Sequence, residues 1–204
     1  VYPYALWMPA ADDEEERHLA LLSKIPFSSV RLEHDLDFVY FGGRKSPDRG
    51  LMEVEFQTKG TKWKLFNLHL KSKWTERKED PGAGIRREKE ARTIRDYLRK
   101  TSPPAGKPLY LVVGDFNDHR NSPALRRFLQ VNDTPLTKFV PCEDSRGQRW
   151  THHWAKADAY SRFDYILSTP SLIEKLVPNS AKIFDGPESA LASDHRMIFA
   201  DFQF

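Results

Sequence analysis

The five residues Leu109-Tyr110-Leu111-Val112-Val113 are apolar without a break, bounded by Pro108 and Gly114, and predict a buried strand. Elsewhere apolar and polar positions alternate. Glu53-Val54-Glu55-Phe56 and Trp63-Lys64-Leu65-Phe66 flank Lys59-Gly60, which predicts a hairpin with one face inward. The same reading puts strands at about 18–24, 28–33, 51–57, 62–70, 108–115, 162–168, 181–185 and 196–203. Helical spacing is rarer. Ile85, Ala91, Ile94 and Leu98 form a narrow apolar stripe over Gly84 to Lys100, and Ser102-Pro103-Pro104-Ala105-Gly106 stops it because proline cannot continue the ladder. A shorter helix is expected after Ser122-Pro123, through Leu125, Phe128 and Leu129. Strands interleaved with a few helices predict an α/β sandwich.

Chemistry-bearing residues stand at the ends of these strands. Gly114-Asp115-Phe116-Asn117 closes the apolar run, and continued extension would send Asp115 and Asn117 to the same face. A carboxylate can hold a hard cation or take a proton from water, while a carboxamide donates to a phosphate oxygen without adding charge. Asn67-Leu68-His69-Leu70-Lys71-Ser72 precedes that motif; His69 alternates with Asn67 and Lys71, away from Phe66, Leu68 and Leu70, and alone would read as a surface histidine. Arg162-Phe163-Asp164-Tyr165-Ile166-Leu167 and Ser193-Asp194-His195 follow it.

These four motifs, in this order, resemble the endonuclease/exonuclease/phosphatase family: metal-dependent phosphoesterases that include deoxyribonucleases, abasic-site endonucleases, sphingomyelinases and inositol-phosphate phosphatases. The resemblance runs from about Leu19 to the last residue. It implies two packed, mainly antiparallel β-sheets flanked by helices, with residues 1–204 forming one domain. It also implies a catalytic set of His69, Asp115, Asn117, Asp164 and His195. Asp115 would orient and deprotonate water, Asn117 would hold a phosphate oxygen, and His195 would be a charged donor whose tautomer Asp164 fixes. His69 would be a second donor. Asp194 and Asp115 would face a divalent cation, Mg²⁺ with Mn²⁺ as the substitute. Lys71, Lys73 and Arg162 are the substrate-binding candidates, although a structural ion pair would account for Arg162 equally well.

The family fold opens with strands carrying an Asn and then a metal-binding Glu, and nothing here fills those places. Glu14, Glu15 and Glu16 read as a solvated acidic run, and Glu33 stands in the wrong order. The chain begins with Val1 and lacks the basic leader and apolar run of a signal peptide over Val1 to Ala11, so it reads as a processed or truncated product. The compartment is left open.

Composition changes this picture little. At 204 residues, 39% apolar and 30% charged, the chain is long enough to bury a core, and no stretch approaches the length of a membrane-spanning helix. The lone Cys142 excludes an internal disulfide framework. Charge is more telling. From Lys59 to Lys100 there are 14 Lys or Arg against 6 Asp or Glu, a balance of +8 in a chain of net +3. Basic residues on the long helix read as a solvated face, whereas Lys71 and Lys73 follow His69 and are placed to attract a polyanion. His152 and His153 are adjacent, so a strand would send them to opposite faces, and the spacing of a closed zinc site is missing. Their neighbours Trp150 and Trp154 are instead candidates for stacking against bases or sugars.

Three readings follow. The first is a phosphodiesterase of nuclease type, acting on a phosphoester substrate with nucleic acid as one candidate. A phosphomonoester or a phospholipid is the variant, although the Trp-Cys-Asp-Arg segment usual in the inositol-phosphate phosphatases is replaced here by the stretch from Ser161 to Tyr165. The second is a non-catalytic relative that binds phosphate or nucleic acid, and the third is an inactive fragment of the enzyme.

Overall fold

A computed structural model describes residues 1–10 and 16–204. Its centre is a six-stranded sheet in the order Lys138–Phe139, Asp164–Ser168, Tyr110–Asp115, Thr61–His69, Leu51–Thr58, Ser29–Glu33. Every adjacent pair is antiparallel except Thr61–His69 with Tyr110–Asp115, which run parallel. A parallel pair needs a crossover. The helix Gly84–Thr101 supplies it, ending where the sequence predicts.

Alternation decides which side chains meet that helix. Phe66, Leu68, Tyr110, Val112, Tyr165 and Leu167 share one face of the sheet and pack with Ala91, Ile94 and Leu98 of the helix. Full burial of such side chains contributes about 1.5–3 kcal/mol each. The helix Pro123–Leu129 lies beside the long one; Ser122 caps it by accepting a hydrogen bond from the Leu125 amide at 3.2 Å. The long helix is less solvated on its basic side than its sequence suggests. Arg87, Glu90 and Arg95 are buried; Arg87 and Glu90 hold the chain next to the candidate site, and Arg95 pairs with Asp96.

The opposite face of the sheet carries two separate ribbons. Tyr4–Met8 pairs with Leu19–Ser23 and covers Met52, Val54 and Phe56. Lys182–Ile183 pairs with Ile198–Phe199 and covers Leu111 and Ile166. Trp63 links the two clusters, stacked on Phe56 at 4.5 Å and on Phe204 at 5.5 Å between ring centroids. The second layer is thus two short ribbons among the described residues, and the expected strands at 181–185 and 196–203 shrink to two residues each. Beside the second ribbon, Val113, Ile166, Phe184 and Ile198 line a mainly apolar cleft of about 700 Å³. Cys142, which the sequence reads as an incidental loop residue, is buried in the cluster beneath the second ribbon.

Candidate active site

Strand register brings the acidic and histidine side chains into one row. His69 lies opposite Asp115 across the parallel pair, and Asp164 lies opposite Asp115 across the antiparallel one. All three sit on the face away from the long helix, at the ends of their strands. The distance from His69 Nε2 to Asp115 Oδ2 is 3.3 Å. From the far side, His195 Nδ1 is 2.8 Å from Asp164 Oδ2, and its Nε2 is 4.0 Å from Asp115 Oδ2.

This row depends on one glycine. At Gly114 φ is +135°, and a Cβ there would stand 1.9 Å from the Leu68 carbonyl oxygen. Only a residue without a side chain lets the two strands close so tightly beside His69 and Asp115.

Beyond Asp115 the strand ends instead of continuing. Asn117 has φ +52° and is buried, so the shared face that extension would give it with Asp115 is replaced by a turn. The turn brings the two together by another route. The Asn117 amide N–H donates to Asp115 Oδ1 at 2.7 Å, and Nδ2 donates to the Leu70 carbonyl at 3.0 Å. Asn117 therefore fixes one oxygen of Asp115 and leaves Oδ2 to face the histidines.

Thr151 holds the other half of the site. Fully buried, its Oγ1 accepts from the amides of Phe163 and Asp164 at 3.0 and 3.1 Å. Its carbonyl accepts from the Arg196 amide at 2.7 Å. One residue thus holds both the Asp164 backbone, through its hydroxyl, and the segment that carries His195, through its carbonyl. Sequence pattern shows a Trp-Thr pair here but gives no sign that the hydroxyl has two acceptor duties.

Behind Lys71 lies a buried ion network. The Lys71 amide donates to Glu90 Oε2 at 2.8 Å; Arg86 Nε donates to Glu90 Oε1 at 3.2 Å and also pairs with Asp48. Arg87 donates to the carbonyls of Lys71 and Gly82 at 3.1 and 2.8 Å and pairs with Asp118 at 3.0 Å. Helical i, i+3 and i, i+4 spacing puts these groups on one side of the helix, where they act on backbone carbonyls instead of solvent.

The remaining sequence candidates divide. His69, Lys71, Asp115, Asn117, Asp164, Asp194 and His195 all line one pocket of about 830 Å³, with Arg49, Trp74 and His152. Lys73 stands outside this lining, its Nζ 3.2 Å from His119 Nε2 and 4.9 Å from the Phe163 ring centre. Arg162 points elsewhere: NH1 donates to the Cys142 carbonyl at 2.8 Å and the guanidinium lies over the Tyr165 ring. Of its two sequence readings, the geometry leaves a structural one, with a carbonyl in place of an ion-pair partner. Glu16, read as solvated, is exposed and also lines the pocket rim, whereas Glu14 and Glu15 lie outside the described residues.

Protonation follows from this crowding. Burial first, and then the Asp164 charge, push Asp115 up to about 7. Burial alone would lower His195, but the hydrogen bond and charge of Asp164 outweigh it and raise the imidazole above its usual value. Burial pushes His152 and Lys71 down. The result is an imidazole whose charged form is favoured, beside a carboxyl group poised near neutrality.

A six-stranded sheet with a helix crossover of this kind has known counterparts. Residues 18–195 match the model of the Endonuclease/Exonuclease/phosphatase family, and the chain belongs to that family. No curated protein matches it in sequence. Among solved structures, it is similar to an endonuclease/exonuclease/phosphatase family protein from Leptotrichia buccalis. The TM-score is 0.66 at 18% identity, covering 98% of this chain and 71% of the other. The human Nocturnin catalytic domain with bound sulfate anion gives 0.62 at 14% identity, covering 98% and 72%. A mutant beta toxin from Staphylococcus aureus with bound magnesium ions gives 0.59 at 15% identity, covering 98% and 74%. At these identities the structural likeness is one of fold.

Proposed function

We propose that this chain is a Mg²⁺-dependent phosphodiesterase of nuclease type that works by attack of an activated water. The observation that carries the reading is the row His69–Asp115–Asp164 with His195 closing on it. Phosphodiester hydrolysis needs a base for water, neutralised phosphoryl charge and a fixed approach. Asp115 takes the water's proton, and a carboxyl near 7 is matched to that task at neutral pH. Asn117 holds the Asp115 carboxylate in place through its backbone N–H. His195 donates from Nε2 to a phosphate oxygen while Asp164 keeps Nδ1 protonated and favours the charged ring. His69, on the opposite side of Asp115, donates to a second oxygen.

The donor set suits a hard cation. Asp115 and Asp164 face each other in register with one imidazole between them, and Asp194 adds an exposed carboxylate at the same pocket. Oxygen ligands with room for several waters are what Mg²⁺ requires, and Asp115 and Asp194 would hold it. Bound there, the ion supplies charge neutralisation for the phosphoryl oxygens. Lys71 lines the pocket beside the exposed Trp74, its Nζ 5.6 Å from the ring centre, and Lys73 lies further along the same segment; both favour a polyanionic substrate over a neutral one.

The test is hydrolysis of bis(p-nitrophenyl) phosphate and of a plasmid with Mg²⁺, Mn²⁺ or EDTA. Metal-dependent turnover that falls by orders of magnitude in Asp115→Asn and His195→Ala, with the fold retained, is expected. Near-wild-type hydrolysis by either variant would sink the assignment. Absent turnover with inorganic phosphate still bound would favour a non-catalytic phosphate-binding protein.

A further inference from the structure

His152 and His153 diverge as strand neighbours should. His153 stacks on Tyr160 at 4.3 Å between centroids, and its Nε2 is 3.1 Å from Asp158. His152 turns the other way, into the pocket, where its ring centre is 4.7 Å from that of His195. The zinc reading fails on spacing within the sequence, but spacing is the wrong measure, because the partners come from the chain some forty residues on. One ligand atom from each of His152, Asp194 and His195 lies within 4.8 Å of the other two.

We infer that His152, Asp194 and His195 form a binding site for a borderline divalent ion of the Zn²⁺ class, and that its occupancy silences the hydrolase. The donors are two imidazoles and one carboxylate. That mixture suits Zn²⁺ or Co²⁺ much better than Mg²⁺, which prefers oxygen alone. The ligand nitrogen of each ring is set by its surroundings. His152 Nδ1 is enclosed without a hydrogen-bond partner, while Nε2 lies 3.7 Å from Asp194 Oδ2. His195 Nδ1 is held by Asp164, so Nε2 is the atom left to bind. Carboxylate, imidazole and metal in sequence is the usual support for a metal-binding histidine, since it fixes the tautomer and strengthens the donor.

The frame is held on the histidine side and open on the carboxylate side. His152 and His195 are paired across an antiparallel bridge; the His153 amide donates to the Asp194 carbonyl at 2.9 Å. Phe163 stacks on the His152 ring at 5.3 Å and 27°. Asp194 is largely exposed, at 69% of its side chain, and can swing to complete a shell with bonds of about 2.0–2.2 Å. Three protein ligands leave a fourth position for water. Because the same His195 nitrogen would donate to phosphate, metal and substrate exclude each other there. The inhibitory half rests on the phosphodiesterase reading above; the binding half does not.

The probes are the metals alone, added to the untagged full chain. Titration with Co²⁺ is expected to produce the visible ligand-field bands of a low-coordinate site, and calorimetry should give Zn²⁺ binding that Mg²⁺ does not displace. His152→Phe keeps a ring to stack on Phe163, and Asp194→Asn removes a carboxylate that would also serve Mg²⁺, so it is read by Zn²⁺ binding alone; each should weaken Zn²⁺ at least about tenfold. Zn²⁺ should also inhibit Mg²⁺-supported hydrolysis, with EDTA followed by excess Mg²⁺ restoring it. Unchanged Zn²⁺ affinity in both variants, or no Zn²⁺ binding at all, overturns the site. Tight Zn²⁺ binding with undiminished hydrolysis overturns the silencing. If the chain hydrolyses nothing, calorimetry and the Co²⁺ spectrum still decide the site on their own.

Discussion

Replacing Gly114 with alanine tests whether the close approach of two strands, and not the side-chain list alone, makes this site. The added Cβ would meet the Leu68 carbonyl oxygen at 1.9 Å, whereas ordinary contact begins at 3.4 Å. The strands must therefore part by about 1.5 Å, or the backbone must leave φ +135°. That dihedral alone costs an L-residue about 1–3 kcal/mol. Parting the strands weakens the ladder at Leu68–Gly114 and the bond from the Leu70 amide to the Asp115 carbonyl at 3.0 Å, with about 1 kcal/mol for each bond lost. A destabilisation of about 3–5 kcal/mol follows, read as a shift in the urea midpoint by tryptophan fluorescence. His69 and Asp115 flank the clash, so their separation should grow as well, and a 1 Å misplacement costs turnover about a hundredfold. The paired assay is bis(p-nitrophenyl) phosphate hydrolysis by the soluble, folded fraction. A midpoint within about 1 kcal/mol of the parent, with turnover intact, would refute the argument that this contact sets the site.

Asp164→Asn removes the charge that lifts His195, so the imidazole should lose its proton at lower pH. If His195 acts as the charged donor, the alkaline limb of the kcat/KM profile moves to lower pH; an unmoved limb would separate His195 from that limb. The linked stability has the same sign. A raised imidazole pKa stabilises the fold below the unfolded value and the benefit is lost as pH rises through the folded one, so the variant should be less stable than the parent on the acid side and converge with it on the alkaline side. Thr151→Val keeps the shape but strips the acceptor from two amides, and should cost about 2–4 kcal/mol in chemical denaturation; an unchanged midpoint would mean another acceptor takes over. Lys73→Ala should weaken plasmid binding and flatten the dependence of log K on log salt by about one unit, and an unaltered slope would remove Lys73 from the substrate path.

The motifs were legible by different signals: the His69 motif closes a cleanly alternating strand, and Gly114-Asp115-Phe116-Asn117 closes an unbroken apolar run. His69 leaves the apolar face by simple period-two counting, and the helical stripe of Ile94 and Leu98 finds the long helix and its end. Less was legible where a side chain serves backbone from a distance. Arg87 and Glu90 count as surface charges in a helical pattern, yet they bind the carbonyls of Lys71 and Ser72 and the Lys71 amide, contacts between positions 15 to 19 apart. Thr151 and Gly114 have the same character. Nothing in a local window separates a hydroxyl that satisfies two amides, or a glycine under a carbonyl, from ordinary loop residues.

By itself, then, the sequence determined most of the kinds of element, the inward face of the alternating strands and the ordered set of acidic and histidine motifs that mark the family. Those properties rest on local sterics and on the two periodicities of the backbone. Tertiary structure decided what depends on register between distant strands: that His69, Asp115 and Asp164 stand in one row, that Asn117 reaches Asp115 through a turn, and that Arg162 faces away. It also brought His152 to His195. Register is fixed by which apolar faces must be buried against each other, a collective property of the whole sheet that no single segment carries.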